Sequence, residues 1–259
     1  MLLFSTCLLV AVLRIISLAP SLTEDLFAIG VGPNIVGVDT YSDRPAQVRR
    51  LPRVGALVGV SAEQVVALHP TLVLGISYQA PVLRQLRRYG VATYAIDDTT
   101  MADVYHTFRQ LGALTAHQSQ AASVIGAMQH EIAQLTRRAA LLPARSTFVV
   151  IGSLPIFTAG RTTYLTTLVR AAHLDPIIPA QTIPWPTFSA EMLALAAPQT
   201  LVLPDGDKLP SGAPWSELPA VRHQCILRLD SDALLRPGPR VVEVLRELIE
   251  EREHSRGRC

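Results

Sequence analysis

Short apolar runs alternate along this chain with stretches whose apolar positions recur every three or four residues, the pattern of a parallel α/β sheet. Arg14–Leu18, Ile35–Val38, Leu72–Ile76, Val91–Ile96, Thr147–Ile151 and Leu201–Leu203 read as strands. Ser21-Leu22-Thr23-Glu24 has capping-box spacing and opens a helix that stops at Gly30. A second helix starts at Ser61, Pro81–Tyr89 forms a third closed by Gly90, and Met101–Leu114 forms a fourth. The alternation pauses from His117 to Leu142, where Val124, Met128, Ile132, Leu135 and Leu142 recur at near-helical spacing. A helix of about 25 residues there is nearly 40 Å long at about 1.5 Å per residue.

That helix divides the chain. The pattern predicts an N-terminal α/β lobe over 14–115, a linking helix over 116–144 and a C-terminal α/β lobe over 145–259; one domain with a long crossover helix is the alternative. An internal echo favours two lobes. Ser61-Ala62-Glu63 precedes an apolar helix, Pro70 and Leu72-Val73-Leu74, and Ser189-Ala190-Glu191 precedes an apolar helix, Pro198 and Leu201-Val202-Leu203, 128 residues later. Glu63 and Glu191 thus fall in first helical turns, where a carboxylate complements the helix dipole. The repetition also suits a pair of anions offered to arginines on a symmetric dimeric partner.

Composition narrows the function. With 49% hydrophobic and 17% charged residues, the chain is too apolar for disorder, and a net charge of +2 offers no basic footprint for nucleic acid. Cys7, Cys225 and Cys259 are odd in number and widely spaced, so neither a disulfide framework nor a thiolate zinc site is expected. The seven histidines lie singly, and no metal site is expected. Met1–Leu13 is apolar but too short for a membrane-spanning helix. It reads as a clipped or mis-started export signal, or as a plain buried segment, and Phe4-Ser5-Thr6-Cys7 faintly resembles a lipoprotein cleavage site.

Nucleophile elbow, P-loop and dinucleotide fingerprint are all missing, Asp97-Asp98 reads as a loop cap, and no catalytic residue is expected. Aromatics instead mark the loops. Tyr41, Tyr78, Phe157 and Trp185 stand at loop edges, the last two beside prolines in Leu154-Pro155-Ile156-Phe157 and Ile183-Pro184-Trp185-Pro186. Open α/β sheets bind ligands beyond the carboxyl ends of their strands, and rigidly held aromatics there suit a large, flat or partly apolar ligand. Asp232 and Arg236, four residues apart, are candidate polar anchors or simply an ion pair on a solvated turn.

On these residues the sequence resembles the cobalamin-binding proteins of bacterial ABC importers, within the helical-backbone class of periplasmic substrate-binding proteins. The resemblance runs from Arg14 to about Ile249 and is carried by Ser17–Glu24, Tyr41-Ser42-Asp43, Glu63–Leu74, Phe157-Thr158-Ala159-Gly160, Pro184-Trp185-Pro186, Glu191–Leu203 and Ser231-Asp232. It implies two α/β lobes, a corrinoid held in the cleft between them, and contacts from Tyr41, Phe157, Trp185, Asp232 and Arg236. Leu57 and Ile76 occupy positions where the family carries aromatics, which leaves room for a different macrocycle or chelate. Glu63 and Glu191 match the glutamates that such proteins display to a dimeric permease with its ATPase subunits. The resemblance further implies a monomer, a periplasmic or otherwise extracytoplasmic location with Cys7 as a lipid anchor, no nucleic-acid partner, and no cofactor beyond transported cobalamin. The rivals are haem or a ferric siderophore as ligand, and an enzyme on a similar two-lobe scaffold.

Overall fold

The computed structural model describes residues 13–255, so the expected export segment and Cys7 lie outside the described residues. Two compact units are formed, one by the chain up to Ile96 with Leu114–His117, the other by Asp97–Ala113 with the chain from Gln118 onward.

The first unit runs β1 (Ile15–Ser17), α1 (Pro20–Ala28), β2 (Ile35–Val38), α2 (Ala62–Ala67), β3 (Leu72–Ile76), α3 (Ala80–Arg87) and β4 (Ala92–Ile96). Its four strands are parallel in the order β2-β1-β3-β4. Parallel strands connected by helices are covered on their faces and read as continuous apolar runs; Leu72, Val73 and Leu74 are accordingly buried. The core packs Ile16 and Val73 of the sheet against Val65, Leu83 and Leu86 of the helices.

After α4 (Met101–Thr115) and α5 (Gln118–Ala139), the second unit runs β5 (Ser146–Val149), β6 (Gly152–Ser153), β7 (Ile156–Phe157), α6 (Tyr164–Ala171), β8 (Asp175–Pro176), α7 (Ala190–Ala196), β9 (Thr200–Pro204), α8 (Pro219–Arg222), β10 (Ile226–Leu229), α9 (Ser231–Leu235) and α10 (Val241–His254). Apart from the antiparallel β6-β7 hairpin, its sheet is again parallel, in the order β8-β5-β9-β10. Strand for strand this repeats the first unit.

Helix endings repeat as well. Gly30 and His173 close α1 and α6 in left-handed conformation (φ 84° and 57°). Each unit's helix ends with paired bonds, Gly30 N–H to Phe27 O and Val31 N–H to Leu26 O in one, His173 N–H to Arg170 O and Leu174 N–H to Val169 O in the other. This is the Schellman pattern, and it repeats at Gly90 and Gln224 (φ 79° and 57°) after α3 and α8.

Two local expectations change. Ser21 does not cap α1: Pro20 occupies the first helical position, with Ala19 before it and no side-chain cap, and Ser21 and Glu24 are buried inside the helix. The fixed φ of proline starts the helix without a capping side chain. In α5 the buried stripe is Ala121, Ile125, Met128, Leu135 and Ala139, with Val124 and Ile132 only half-buried. Small alanines belong to that stripe, α5 packs against α6 and α10, and Glu131–Arg246 and Arg138–Glu253 ion pairs join α5 to α10. Cys225 is buried and disulfide-bonded. Among the described residues no helix is long and apolar enough to cross a membrane, and no group of three or more metal-binding side chains gathers.

Candidate functional site

In the first unit the candidate side chains stand at the carboxyl ends of the strands. Tyr41 follows β2 and is 63% exposed. Its loop is held by a buried polar network. The Thr23 hydroxyl lies 2.8 Å from that of Ser17 and 2.9 Å from that of Ser42, Ser42 Oγ donates to Asp39 Oδ1, and Tyr41 N–H donates to Asp39 Oδ2 at 2.8 Å. Arg53 Nη1 donates to the carbonyls of Asp39 and Ser42. The polar pieces Ser17–Glu24 and Tyr41-Ser42-Asp43, separate in sequence, thus meet in one network. Buried hydroxyls and a carboxylate are stable there because they satisfy one another.

Leu57 lies in a loop whose ends are joined by Ser61 N–H to Val54 O at 2.9 Å. Gly55 permits that closure, because at φ 118° a Cβ would come within 2.5 Å of Gly59 O. Leu57 is brought together with Tyr78, not with Tyr41: with Val58, Val60, Pro81 and Val82 they line an open hollow of about 570 Å³. Ile76 ends β3, and its N–H donates to Gln79 Oε1 at 3.1 Å while Gln79 Nε2 donates to Leu18 O at 2.9 Å. Gln79, which sequence reading passed over, therefore pins the Ile76–Tyr78 turn to the end of β1.

In the second unit the two aromatic motifs lie side by side. Phe188 N–H donates to Ile156 O at 2.9 Å, Thr158 N–H to Pro186 O at 3.1 Å, and Gly160 N–H to Pro184 O at 2.8 Å. The Phe157–Gly160 and Pro184–Phe188 segments are thereby zipped antiparallel. A Cβ on residue 160 would sit 2.4 Å from Ile183 O, so only glycine allows this approach. Phe157 is half-buried, and Trp185 keeps 38% of its surface exposed.

Trp185 meets the buried Tyr164 edge-on, with ring centroids 6.1 Å apart and planes at 71°. Tyr164 Oη donates to Leu234 O at 2.8 Å, within α9. That helix carries Asp232, and Arg236 follows its last residue; their side chains pair at 2.7 Å. Asp230 caps it through Ala233 N–H at 2.8 Å. The ion pair is therefore real, and it stands on the element anchored to the Trp185 support. Asp98, on the loop after β4, is half-buried and its carboxyl is pushed up to about 6, by burial first and then by the negative charges of Asp97 and Asp103. Burial, with Asp98 nearby, also pushes the Tyr164 phenol up, so Tyr164 stays a neutral donor. Asp97-Asp98 is not the cap of α4: Thr100 and Asp103 form a reciprocal capping box there.

Glu63 and Glu191 are exposed in the first turns of α2 and α7. Ser61 and Ser189 cap these helices, accepting from Gln64 N–H at 3.2 Å and Met192 N–H at 3.1 Å. The Glu191 carboxyl is held below its ordinary range by its own backbone N–H and the Ser189 hydroxyl; it remains an anion.

A family model described as periplasmic binding protein matches residues 15–233. The chain belongs to that family. Its members bind a substrate without transforming it, and no catalytic role is needed for any of these side chains. Among relatives, the chain is 29% identical over 251 residues to a vitamin B12-binding protein of Photorhabdus laumondii, covering 96% of this chain and 90% of that one. It is 28% identical over 249 residues to YvrC of Bacillus subtilis, named an uncharacterized ABC transporter substrate-binding lipoprotein, covering 92% and 79%. Among solved structures, the periplasmic vitamin B12 binding protein BtuF of Vibrio cholerae superposes with a TM-score of 0.80 at 24% identity, covering 94% of this chain and 97% of that one. A periplasmic heme binding protein of Pseudomonas aeruginosa superposes with a TM-score of 0.80 at 25% identity, covering 91% of each.

Proposed function

We propose that this periplasmic binding protein captures cobalamin or a related corrinoid outside the cytoplasm and delivers it to a dimeric ABC permease. The observation that carries the reading is the arrangement in the second unit. Phe157 and Trp185 sit on adjoining zipped segments, and Tyr164 links Trp185 to the helix at whose end the Asp232–Arg236 pair stands. Aromatic faces cover the apolar surface of a macrocycle, while a carboxylate and a guanidinium serve its peripheral amides. Within the first unit the proposed ligand contacts are Tyr41, Leu57 and Ile76, and the hollow beside Leu57 suits an apolar group. Glu63 and Glu191 bear on the permease, which offers arginines to them. The names of the relatives favour the corrinoid and an extracytoplasmic, transporter-linked setting; the disulfide bond of Cys225 suits an oxidising compartment.

Haem is the second reading, favoured by the exposed phenols of Tyr41 and Tyr78 at strand ends, since a phenolate can ligate ferric iron. Titrating the chain with cyanocobalamin and with hemin, and following Trp185 fluorescence, separates the two. Saturable quenching by cyanocobalamin that is lost in Trp185→Ala supports the corrinoid; tight hemin binding with a Tyr41-dependent charge-transfer band replaces it.

A further inference from the structure

Three separate stretches of the second unit converge on one buried residue. Tyr164 is 1% exposed. Its ring carries the edge of Trp185, its hydroxyl holds the Leu234 carbonyl of α9, and its backbone N–H donates to Thr99 O at 2.9 Å on the loop after β4. The residue is itself locked at the start of α6, because Thr163 caps that helix and Thr163 and Thr166 both donate to Gly160 O, at 3.0 and 2.7 Å. Gly160 in turn belongs to the zipped segment beside Trp185.

A phenylalanine would fill the same space, so the hydroxyl is not explained by packing. A buried phenol is retained where its donor has a fixed acceptor, and the acceptor here lies midway between Asp232 and Arg236.

We propose that Tyr164 is a positioning residue for ligand recognition: its ring sets the plane of Trp185 and its hydroxyl sets α9, so that the aromatic face and the Asp232–Arg236 pair reach the ligand in one fixed geometry. This rests on the reading of those side chains as ligand contacts. A preorganised site avoids ordering its own side chains when the ligand arrives.

The two halves of the role separate by substitution. With both tryptophans labelled as 5-fluorotryptophan, the fluorine line that disappears in Trp185→Phe belongs to Trp185 and the other to Trp215. Tyr164→Leu is expected to shift and broaden the Trp185 line while leaving the Trp215 line in place. Tyr164→Phe is expected to leave the Trp185 line alone but to speed hydrogen exchange of residues 232–236 by roughly threefold to tenfold, the scale of one lost neutral hydrogen bond. Cyanocobalamin, or hemin if that is the ligand bound, should dissociate faster from Tyr164→Phe by a similar factor. An unmoved Trp185 line in Tyr164→Leu, or unchanged exchange at 232–236 in Tyr164→Phe, overturns the positioning role. Both of those readouts use the free protein, so they decide it even if neither ligand binds and the ligand reading fails.

Discussion

His69 and Ala197 stand 128 residues apart, and both adopt left-handed backbone angles, φ 46° and 42°, directly before a proline. Each ends the helix that a capping serine opened and turns the chain into the third strand of its sheet. The echo seen in sequence is therefore an echo of backbone geometry, including a conformation that costs an L-residue about 1–2 kcal/mol. Part of that cost is recoverable. Ala197→Gly is expected to stabilise the protein by about 0.5 kcal/mol, the relief of strain being offset by glycine's larger unfolded-state entropy. Denaturant unfolding measures it, and destabilisation beyond about 0.5 kcal/mol would show that Ala197 is not strained.

Gly160 tests the zipper that brings Phe157 and Trp185 together. Gly160→Ala places a methyl against the Ile183 carbonyl and is expected to cost about 2–3 kcal/mol, the scale of overpacking against unyielding backbone. Ligand affinity should fall with it, because Pro184 and Trp185 move. A variant with unchanged stability and a wild-type Trp185 spectrum would refute the close approach.

Asp98 gives a pH signature. Its carboxyl is raised from the ordinary 3.8 to about 6, so between those values the folded state holds a proton that the unfolded chain has lost. Stability from this group is complete below about pH 4 and is lost as pH rises through about 6. Asp98→Asn should therefore be more stable than the natural chain at pH 8, by about 3 kcal/mol at most, and close to it below about pH 4. Thermal unfolding at the two pH values checks the difference; an equal gain at both removes the titration account.

The docking proposal concerns Glu63 and Glu191 alone. Changing both to Lys should abolish stimulation of the reconstituted permease's ATPase while leaving ligand affinity within about twofold, because both carboxylates lie on exposed first turns and reversal of an interfacial charge repels its partner. Normal stimulation by the double variant would dismiss it.

Much of the fold was legible because buried parallel strands announce themselves as uninterrupted apolar runs: Ile35–Val38 and Leu72–Ile76 are strands with those bounds. What misled was local chemistry that two structures can share. Ser21-x-x-Glu24 has the spacing of a capping box, but the proline before it starts the helix and buries both residues. Large apolar residues drew the α5 stripe through Val124, whereas the buried stripe runs through the small Ala121 and Ala139. Within the candidate site, loop aromatics beside prolines stood out in the sequence, and the structure puts Phe157 and Trp185 on neighbouring segments. Their supports did not stand out. Tyr164 sits in an amphipathic helical run where an aromatic reads as core, Gln79 and Asp39 act through partners 61 and 22 residues away, counting to Leu18 and Ser17, and the pairing of Leu57 with Tyr78 depends on how two loops fold back. No periodicity encodes those meetings.

Colour retained by the protein tests the central claim most directly. The chain from Arg14 onward, incubated with cyanocobalamin and passed over a desalting column, should emerge with one corrin absorbance per protein, and Trp185→Ala should emerge with little. A colourless peak of well-folded natural chain would contradict corrinoid capture.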